Sequence, residues 1–228
     1  MSRDLVILRH GARLDAIDKN WLKTAGHTRR EDSPLSPEGE QQAELAAQRL
    51  VREFAGSQED QPTIEHIICS PFERCIQTAL PVAKLLGKRL KIEPGIIEHL
   101  SRKPRTLSME EVFDKYGAEH FDPEFTPEVT LESLRKEPQL EDAQRRAGDC
   151  SKALRKRFDG CLLLVTHSGA ASGMAIAWTG EVLFPGLCSV THIHISGDGD
   201  GHAEFKLAGD LAHISTRRQN ENIICGVS

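Results

Sequence analysis

The chain has 228 residues, a length that suits one domain with an elaborated insertion. Apolar residues make up 39% and charged residues 28%, as in soluble globular proteins with a buried core. The net charge of −5 argues against a nucleic-acid or membrane-surface partner through bulk electrostatics, so an anion site requires a local cluster of cations.

The first strongly apolar run, residues 5–8, predicts a short buried strand that leads directly into Arg9, His10 and Gly11. A polar connection over 14–34 follows, and it is interpreted either as a lid or binding segment or as a surface excursion that Trp21 pins to the core. Ser36 is a good N-cap and Pro37 suits the first helical position, so we expect a helix over 37–54.

A second strand is predicted over 64–69, and it ends at Ser70. Ser70 as N-cap and Pro71 in the first turn predict a helix that runs to about residue 86 and places Arg74 in its first turns. A guanidinium there suits an anion, because helix N-termini favour negative charge and arginine offers a fork of donors to phosphate oxygens.

After a short strand over 88–92, residues 93–138 are mostly irregular, because Pro94, Pro104, Pro123 and Pro127 discourage long elements. One helix is expected over 108–116 with Ser108 as N-cap. We interpret residues 94–138 as an insertion over one end of the sheet within a single domain, 1–228. A helix over about 139–158 follows, and the simplest account of its Arg- and Lys-rich outer face is solvation.

Residues 161–165 form the next strongly apolar run, and it ends in His167 and Gly169, which repeats the arrangement of the first strand. A helix over 170–178 and two alternating strands, 189–195 and 202–207, complete the pattern, with residues 197–201 as their hairpin turn. His192 and His194 share a strand face, but no third ligand is in reach by sequence, so no metal site is predicted.

The start of the chain lacks the apolar core of a signal peptide, and no run approaches the roughly 18 apolar residues that cross a bilayer. Six cysteines are scattered without a paired C-x-x-C motif, which favours free thiols over a disulfide framework. We therefore expect a reduced cytoplasmic protein, with the nucleus as a second location.

Strands that alternate with helices indicate an α/β fold, here a three-layer α/β/α arrangement around a mainly parallel sheet. Ligands bind at the carboxyl ends of strands in such sheets. Three of these ends carry Arg9 with His10, the segment from Ser70 to Arg74, and His167. If they converge, two imidazoles and several guanidiniums form a site for a phosphate dianion, in which a neutral imidazole can attack phosphorus.

Five segments together resemble the histidine phosphatase superfamily, also called phosphoglycerate-mutase-like. They lie in the family's order over residues 5–169 and read LVILRHG (5–11), PLSPEGEQQA (34–43), IICSPFERCIQTA (67–79), EPGIIEH (93–99) and LLLVTHSG (162–169). The resemblance implies the phosphoglycerate-mutase-like fold and a phosphomonoester hydrolase that needs no cofactor and no metal.

The resemblance also assigns roles to the matched positions. His10 resembles the phosphorylated nucleophile, and His167 resembles the second histidine that steadies the transition state. Arg9 and Arg74 resemble phosphate ligands. Glu98 resembles the proton donor.

Glu93 competes with Glu98 for the role of proton donor, and we favour Glu98.

Ala12, Arg13 and Ala16 depart from the pattern of the glycolytic mutases, and Ser168 replaces the acid that follows the second histidine in acid phosphatases. The pattern is most similar to the suppressor-of-T-cell-receptor-signalling and ecdysteroid-phosphate phosphatase branch, whose relatives include a subunit of the class III polymerase transcription factor. Arg13 would then be a third phosphate-binding arginine.

The substrate is expected to be a phosphorylated small molecule or a phosphoprotein, with aryl phosphates or phosphotyrosine as examples. We expect no direct nucleic-acid partner and no membrane contact, and a homodimer is one option for assembly. Two other functions stay open, namely a phosphoglycerate mutase or sugar-bisphosphate phosphatase, and a non-catalytic module of a transcription complex.

Overall fold

The computed structural model describes residues 3–24, 29, 31–56, 61–196 and 202–214. Its centre is a six-stranded sheet with the spatial order β3-β2-β4-β1-β5-β6. The strands are β1 (Asp4–Arg9), β2 (Ile64–Cys69), β3 (Leu90–Ile92), β4 (Cys161–Thr166), β5 (Val190–Ile195) and β6 (Ala203–Asp210). The first four run parallel, and β5 and β6 are antiparallel to their neighbours, which confirms a mainly parallel sheet.

Side chains of the central strands alternate between two apolar layers, so each strand is buried on both faces. Val6 and Leu8 pack against α3 (Pro37–Phe54) and α4 (Glu73–Leu86) on one face. Leu5 and Ile7 pack against α6 (Leu140–Arg157) and α7 (Ser168–Thr179) on the other. The predicted three-layer α/β/α architecture is therefore confirmed.

The carboxyl ends of β2, β4 and β1 lie side by side because these strands are neighbours in the parallel part of the sheet. These ends carry Ser70, His167 and Arg9 with His10, respectively. The N-termini of α4 and α7 follow two of them directly, so the predicted convergence occurs at an edge that also favours anions.

Two connections contain more regular structure than the sequence indicates. The segment predicted as an irregular polar connection forms two short helices, α1 (Leu14–Ile17) and α2 (Trp21–Thr24), and Trp21 is buried. Between β3 and α6 lie a 3₁₀ turn (Pro94–Ile96), α5 (Met109–Tyr116) and a second 3₁₀ turn (Ala118–His120). Ser108 caps α5 as predicted, through a reciprocal capping box with Glu111.

Two predicted element starts are wrong. α4 begins at Glu73 with Phe72 at its N-cap, because the Ser70 hydroxyl bonds to His167 instead of capping the helix. The third strand begins at Leu90 and not at residue 88, because Lys88 is still bonded to the Ala83 carbonyl at the end of α4.

The sequence shows no third partner for His192 and His194, and the structure supplies one. Pairing of β1 with β5 brings both imidazoles to Asp4 Oδ1, at 2.7 and 3.1 Å.

The solvated face predicted for α6 is only partly correct. Arg146 and Arg155 turn inward and donate to main-chain carbonyls, so they are structural cations. The hairpin turn predicted over 197–201 lies outside the described residues. Within the described part of the chain, none of the helices combines the length and apolarity needed to span a bilayer.

Candidate active site

His10 follows β1 directly and is held through its main chain. Its N–H donates to the Thr166 carbonyl at 2.9 Å, and its own carbonyl accepts from the Cys188 N–H at 3.0 Å. Ring atom Nδ1 lies 2.8 Å from the Gly11 carbonyl oxygen, which can only accept, so Nδ1 carries the proton. Nε2 is therefore the unprotonated ring atom, which is the form required for attack on phosphorus.

His167 follows β4 in the same way, but its hydrogen bonds fix the opposite tautomer. Arg74 Nη2 lies 3.1 Å from Nδ1 of the ring and can only donate, so Nδ1 is the acceptor. Nε2 then carries the proton and donates to Ser70 Oγ at 2.8 Å. The centroids of the His10 and His167 rings are 5.2 Å apart and the rings meet edge to face.

Both imidazoles are neutral at neutral pH. Burial, and then the charge of Arg74, hold the pKa of His10 well below its ordinary range, and the ring is only 3% exposed. The same two causes lower the pKa of His167. A neutral His10 keeps its Nε2 lone pair available without the need to lose a proton first.

Arg9 and Arg74 carry buried guanidinium donors. Arg9 Nη1 donates to the Pro185 carbonyl at 2.7 Å, and Arg74 Nη1 donates to the Glu31 carbonyl at 2.8 Å. The Nε atom of each guanidinium is buried and has no acceptor among the described residues. Because a buried unpaired donor is costly, both atoms are suited to the oxygens of a bound anion.

Arg13 lies farther out than the other two arginines. Its Nε donates to Asp15 Oδ1 at 2.9 Å, its Nη2 pairs with Oδ2 of the same carboxylate, and its side chain is 38% exposed. Arg13 also lines a cavity of about 150 Å³ together with Arg74 and Glu98. The structure therefore places Arg13 at the mouth of the site.

The two candidate acids lie in different environments. Glu93 is fully buried, and its carboxylate accepts the main-chain N–H groups of Gly95, Glu128 and Val129. Glu98 instead lines the cavity, and its Oε1 lies so close to Gly169 that a β-carbon there would come within 2.6 Å of it. A β-carbon at residue 169, two positions after His167, would therefore displace the Glu98 carboxylate.

Charge also connects Glu98 to the arginines. Burial lowers the pKa of the Arg9 guanidinium, and the Glu98 carboxylate opposes that shift most strongly among the nearby charges. Glu98 thus lies within electrostatic reach of the proposed phosphate ligands.

Sequence reasoning missed the residues that hold Glu98 in place. Arg146 Nη1 donates to the carbonyls of Gly95 and Ile97 at 2.8 and 3.1 Å, and its Nη2 donates to the Glu98 carbonyl at 3.3 Å. Glu137 accepts from Arg146 Nε at 2.7 Å and from the Leu100 N–H at 2.9 Å. The guanidinium and carboxylate together fix the main chain on both sides of Glu98.

A buried acidic pair beside Arg74, formed by Glu73 and Asp32, was also missed. The Glu73 carboxylate accepts from Tyr116 Oη at 2.7 Å and pairs with Arg29 and Lys115. The Glu73 N–H donates to Asp32 Oδ1 at 2.6 Å. Burial raises the pKa of Asp32 to about 6.

Other matched motif residues act by fixing the main chain that follows β1. Thr78 Oγ1 accepts from the Gly11 N–H at 3.2 Å, and Gln42 Oε1 accepts from the Ala12 N–H at 2.9 Å. Gly39 lies against this segment so closely that a β-carbon on it would come within 2.1 Å of the Ala12 carbonyl oxygen. The glutamine, threonine and glycine of the motifs therefore define the turn that presents His10.

A model of the histidine phosphatase superfamily (branch 1) matches residues 5–203. The chain belongs to this superfamily. Among curated proteins it is 28% identical over 213 residues to the ecdysteroid-phosphate phosphatase of Drosophila melanogaster, covering 79% of this chain and 27% of that protein. It is 36% identical over 107 residues to the transcription factor tau 55 kDa subunit of Saccharomyces cerevisiae, covering 44% and 22%.

The fold is also similar to that of solved structures. The ecdysone phosphate phosphatase of Bombix mori, in complex with tungstate, superimposes with a TM-score of 0.63 at 17% identity, over 92% of this chain and 97% of that one. This likeness confirms the phosphoglycerate-mutase-like fold. The chain spans about a quarter of the length of the curated Drosophila relative.

Proposed function

We propose that this chain is a phosphomonoesterase that transfers the phosphoryl group of its substrate to Nε2 of His10 and then to water. The observation that carries the proposal is the Nδ1 hydrogen bond to the Gly11 carbonyl, which leaves Nε2 unprotonated beside the second imidazole. Membership of the superfamily, and relatives named as phosphatases, support the same reaction class.

In the first step Nε2 of His10 forms a bond to phosphorus while the bond from phosphorus to the ester oxygen breaks. Negative charge spreads over the equatorial phosphoryl oxygens, and Arg9, Arg74 and Arg13 bind them. His167 steadies the same charge by turning its Nε2–H from Ser70 Oγ to a phosphoryl oxygen.

The leaving alkoxide or phenoxide needs a proton, and Glu98 is the proposed donor because its carboxyl group lines the cavity. Glu93 is less suited, because three main-chain N–H groups already occupy its carboxylate. In the second step the same carboxylate removes a proton from the water that attacks the phosphohistidine, which regenerates neutral His10.

The substrate class is proposed to include aryl phosphates. Phe72 and Leu100 line the cavity beside its charged groups, so an aromatic leaving group finds apolar surface at the mouth. The curated relative and the solved structure named for ecdysteroid and ecdysone phosphates are consistent with an apolar alcohol as the leaving group.

The test is turnover of p-nitrophenyl phosphate by the wild type, His10→Ala and His202→Ala. His202 is an exposed histidine directly before the edge strand β6, so its variant is the control. We expect turnover by the wild type and the control, and a loss of more than about 10⁴-fold in kcat for His10→Ala. Equal rates for the wild type and His10→Ala would overturn the proposal.

A further inference from the structure

A second cavity, of about 490 Å³, lies beneath α5 and is lined by residues of α4, β3, α5 and the segment 121–132. Its walls are mainly apolar, with three phenylalanine rings and several aliphatic side chains, among them Phe113, Phe121, Phe125, Ile92, Leu107 and Val112. Concave apolar sites of roughly 300–1,000 Å³ with a few polar groups are the usual binding sites for small molecules.

The charges around this cavity argue for an uncharged ligand. Among the residues that the structure describes, no lysine, arginine or histidine lines it, so an anionic ligand finds no counter-charge there. Of its two carboxylates, that of Asp122 already pairs with Lys91 Nζ at 2.8 Å and accepts the Glu124 N–H at 3.1 Å, while Glu132 is exposed. Burying an unpaired charge against aromatic and aliphatic walls is costly.

The cavity is separate from the phosphate site. The two cavities have no lining residue in common. Phe72, which lines the mouth of the phosphate site, packs in one apolar cluster with Leu131, which lines the second cavity. A wall of packed side chains therefore stands between them.

The helix that roofs this cavity also bonds to α4, the helix that carries Arg74. Met109, Val112 and Phe113 of α5 line the cavity, and Tyr116 at the end of the same helix donates to Glu73, the neighbour of Arg74. A ligand that packs beneath α5 therefore acts on a helix that is hydrogen-bonded to the residue before Arg74.

We propose that the cavity beneath α5 is an effector site that binds an uncharged, largely apolar small molecule and changes the affinity of the phosphate site through Tyr116 and Glu73. Binding at the cavity does not depend on phosphatase activity. The effect of a bound anion on this binding requires only that the phosphate site binds an oxyanion.

The binding test uses N-phenyl-1-naphthylamine, an uncharged apolar fluorophore, with the full chain. We expect saturable binding to one site, a loss of at least tenfold in affinity for Leu107→Trp, which fills the cavity, and no change for Leu85→Trp. Leu85 is 56% exposed on α4 and does not line the cavity, so it is the matched control. Thermal unfolding of both variants checks that they are folded.

The linkage test repeats the titration with saturating orthovanadate, whose binding is followed by calorimetry. We expect vanadate to shift the affinity for the fluorophore by at least about twofold and then to reach a plateau, because linkage between two sites is reciprocal and limited. In Tyr116→Phe we expect vanadate to change the affinity for the fluorophore little or not at all.

Four results of the fluorophore and vanadate titrations would overturn the proposal. They are absence of saturable binding, equal losses in the two tryptophan variants, complete displacement of the fluorophore by vanadate, and an affinity that vanadate leaves unchanged. Light scattering tests whether a second copy of the chain occupies the cavity. If the wild type is a dimer that Leu107→Trp dissociates, the cavity is an interface between two copies and not an effector site.

Discussion

The ends of β1 and β4 differ in how they hold their histidines, although both consist of a buried apolar strand followed by histidine and a nearby glycine. His10 bonds to the main-chain carbonyl of Gly11, which places the proton on Nδ1. His167 instead contacts side chains, and those of Arg74 and Ser70 place the proton on Nε2. Two nearly identical sequence patterns therefore yield opposite tautomers.

The difference shows that the neighbours, and not the strand-histidine pattern, assign the chemistry. A ring fixed by a rigid main-chain acceptor keeps one lone pair open for attack. A ring held by Arg74, the guanidinium proposed to bind the phosphate, is placed instead to respond to charge on the phosphoryl oxygens. On this account only one of the two histidines forms a bond to phosphorus.

The largest expected effect comes from removing each ring in turn. We expect His10→Asn to lower kcat by more than about 10⁴-fold, because no nucleophile remains. His167→Asn should lower it by roughly 10²–10³-fold, because it removes one stabilising contact in the transition state. Steady-state kinetics on p-nitrophenyl phosphate separates the two, and similar losses for both would remove the distinction between the rings.

The next largest effect is expected from the acid that protonates the leaving group when His10 attacks phosphorus. Glu98→Gln should lower kcat by about 10²-fold or more on alkyl phosphates but much less on p-nitrophenyl phosphate, whose leaving group needs little protonation. Glu93→Gln is the matched control on the same segment. It should keep the wild-type dependence on leaving group and lose roughly 1–3 kcal/mol of stability, because buried N–H groups lose a charged acceptor. If Glu93→Gln, and not Glu98→Gln, loses activity mainly on alkyl phosphates, Glu93 is the acid.

A smaller effect is expected from Ser70→Ala, which removes the acceptor that fixes the His167 tautomer. We expect a fall of about threefold to tenfold in kcat/KM, corresponding to roughly 1 kcal/mol for one hydrogen bond. Ser196→Ala, at an exposed serine that follows β5, is a serine control outside the site. A loss of the size expected for His10→Asn would show that Ser70 takes a direct part in the reaction.

The smallest effect is on stability against pH. Burial, followed by Arg74, depresses the pKa of both histidines in the folded state, so the unfolded chain binds more protons as pH falls through about 6.5. The free energy of unfolding should therefore fall on acidification. Each ring contributes roughly 0.5–1 kcal/mol between about pH 7.5 and pH 6.

Urea unfolding of the wild type and His10→Asn isolates this contribution, because other groups titrate alike in both proteins. Asp32 acts in the opposite direction, since burial raises its pKa to about 6. The variant should lose less stability than the wild type on acidification. Identical pH dependence would contradict a depressed pKa at residue 10.

Much of the fold could be predicted from the sequence because its signals are local. The apolar runs of β1, β2 and β4, and the serine and proline at the start of α3, depend on neighbouring residues only. Parallel strands joined by helices must bring their carboxyl ends to one edge, so the approach of His10 and His167 could also be predicted.

What could not be predicted depends on long-range pairing. Arg146 reads as one cation on a polar helix face, and only the folded path of residues 95–98 shows that it supports Glu98. Asp4 becomes the partner of His192 only through the register of β1 with β5. Ser70 resembles a helix cap, and its bond to His167 depends on the pairing of β2 with β4.

The most direct test of phosphoryl transfer to His10 is to trap the phosphoenzyme. The protein is mixed with a ³²P-labelled phosphoester and quenched in alkali within milliseconds, and the labelled peptide is then mapped by mass spectrometry. The account predicts an acid-labile, alkali-stable phosphoryl group on Nε2 of His10, and no label in His10→Asn. A label on His167, on Nδ1 of His10 or on any other residue, or turnover without a labelled protein, would contradict it.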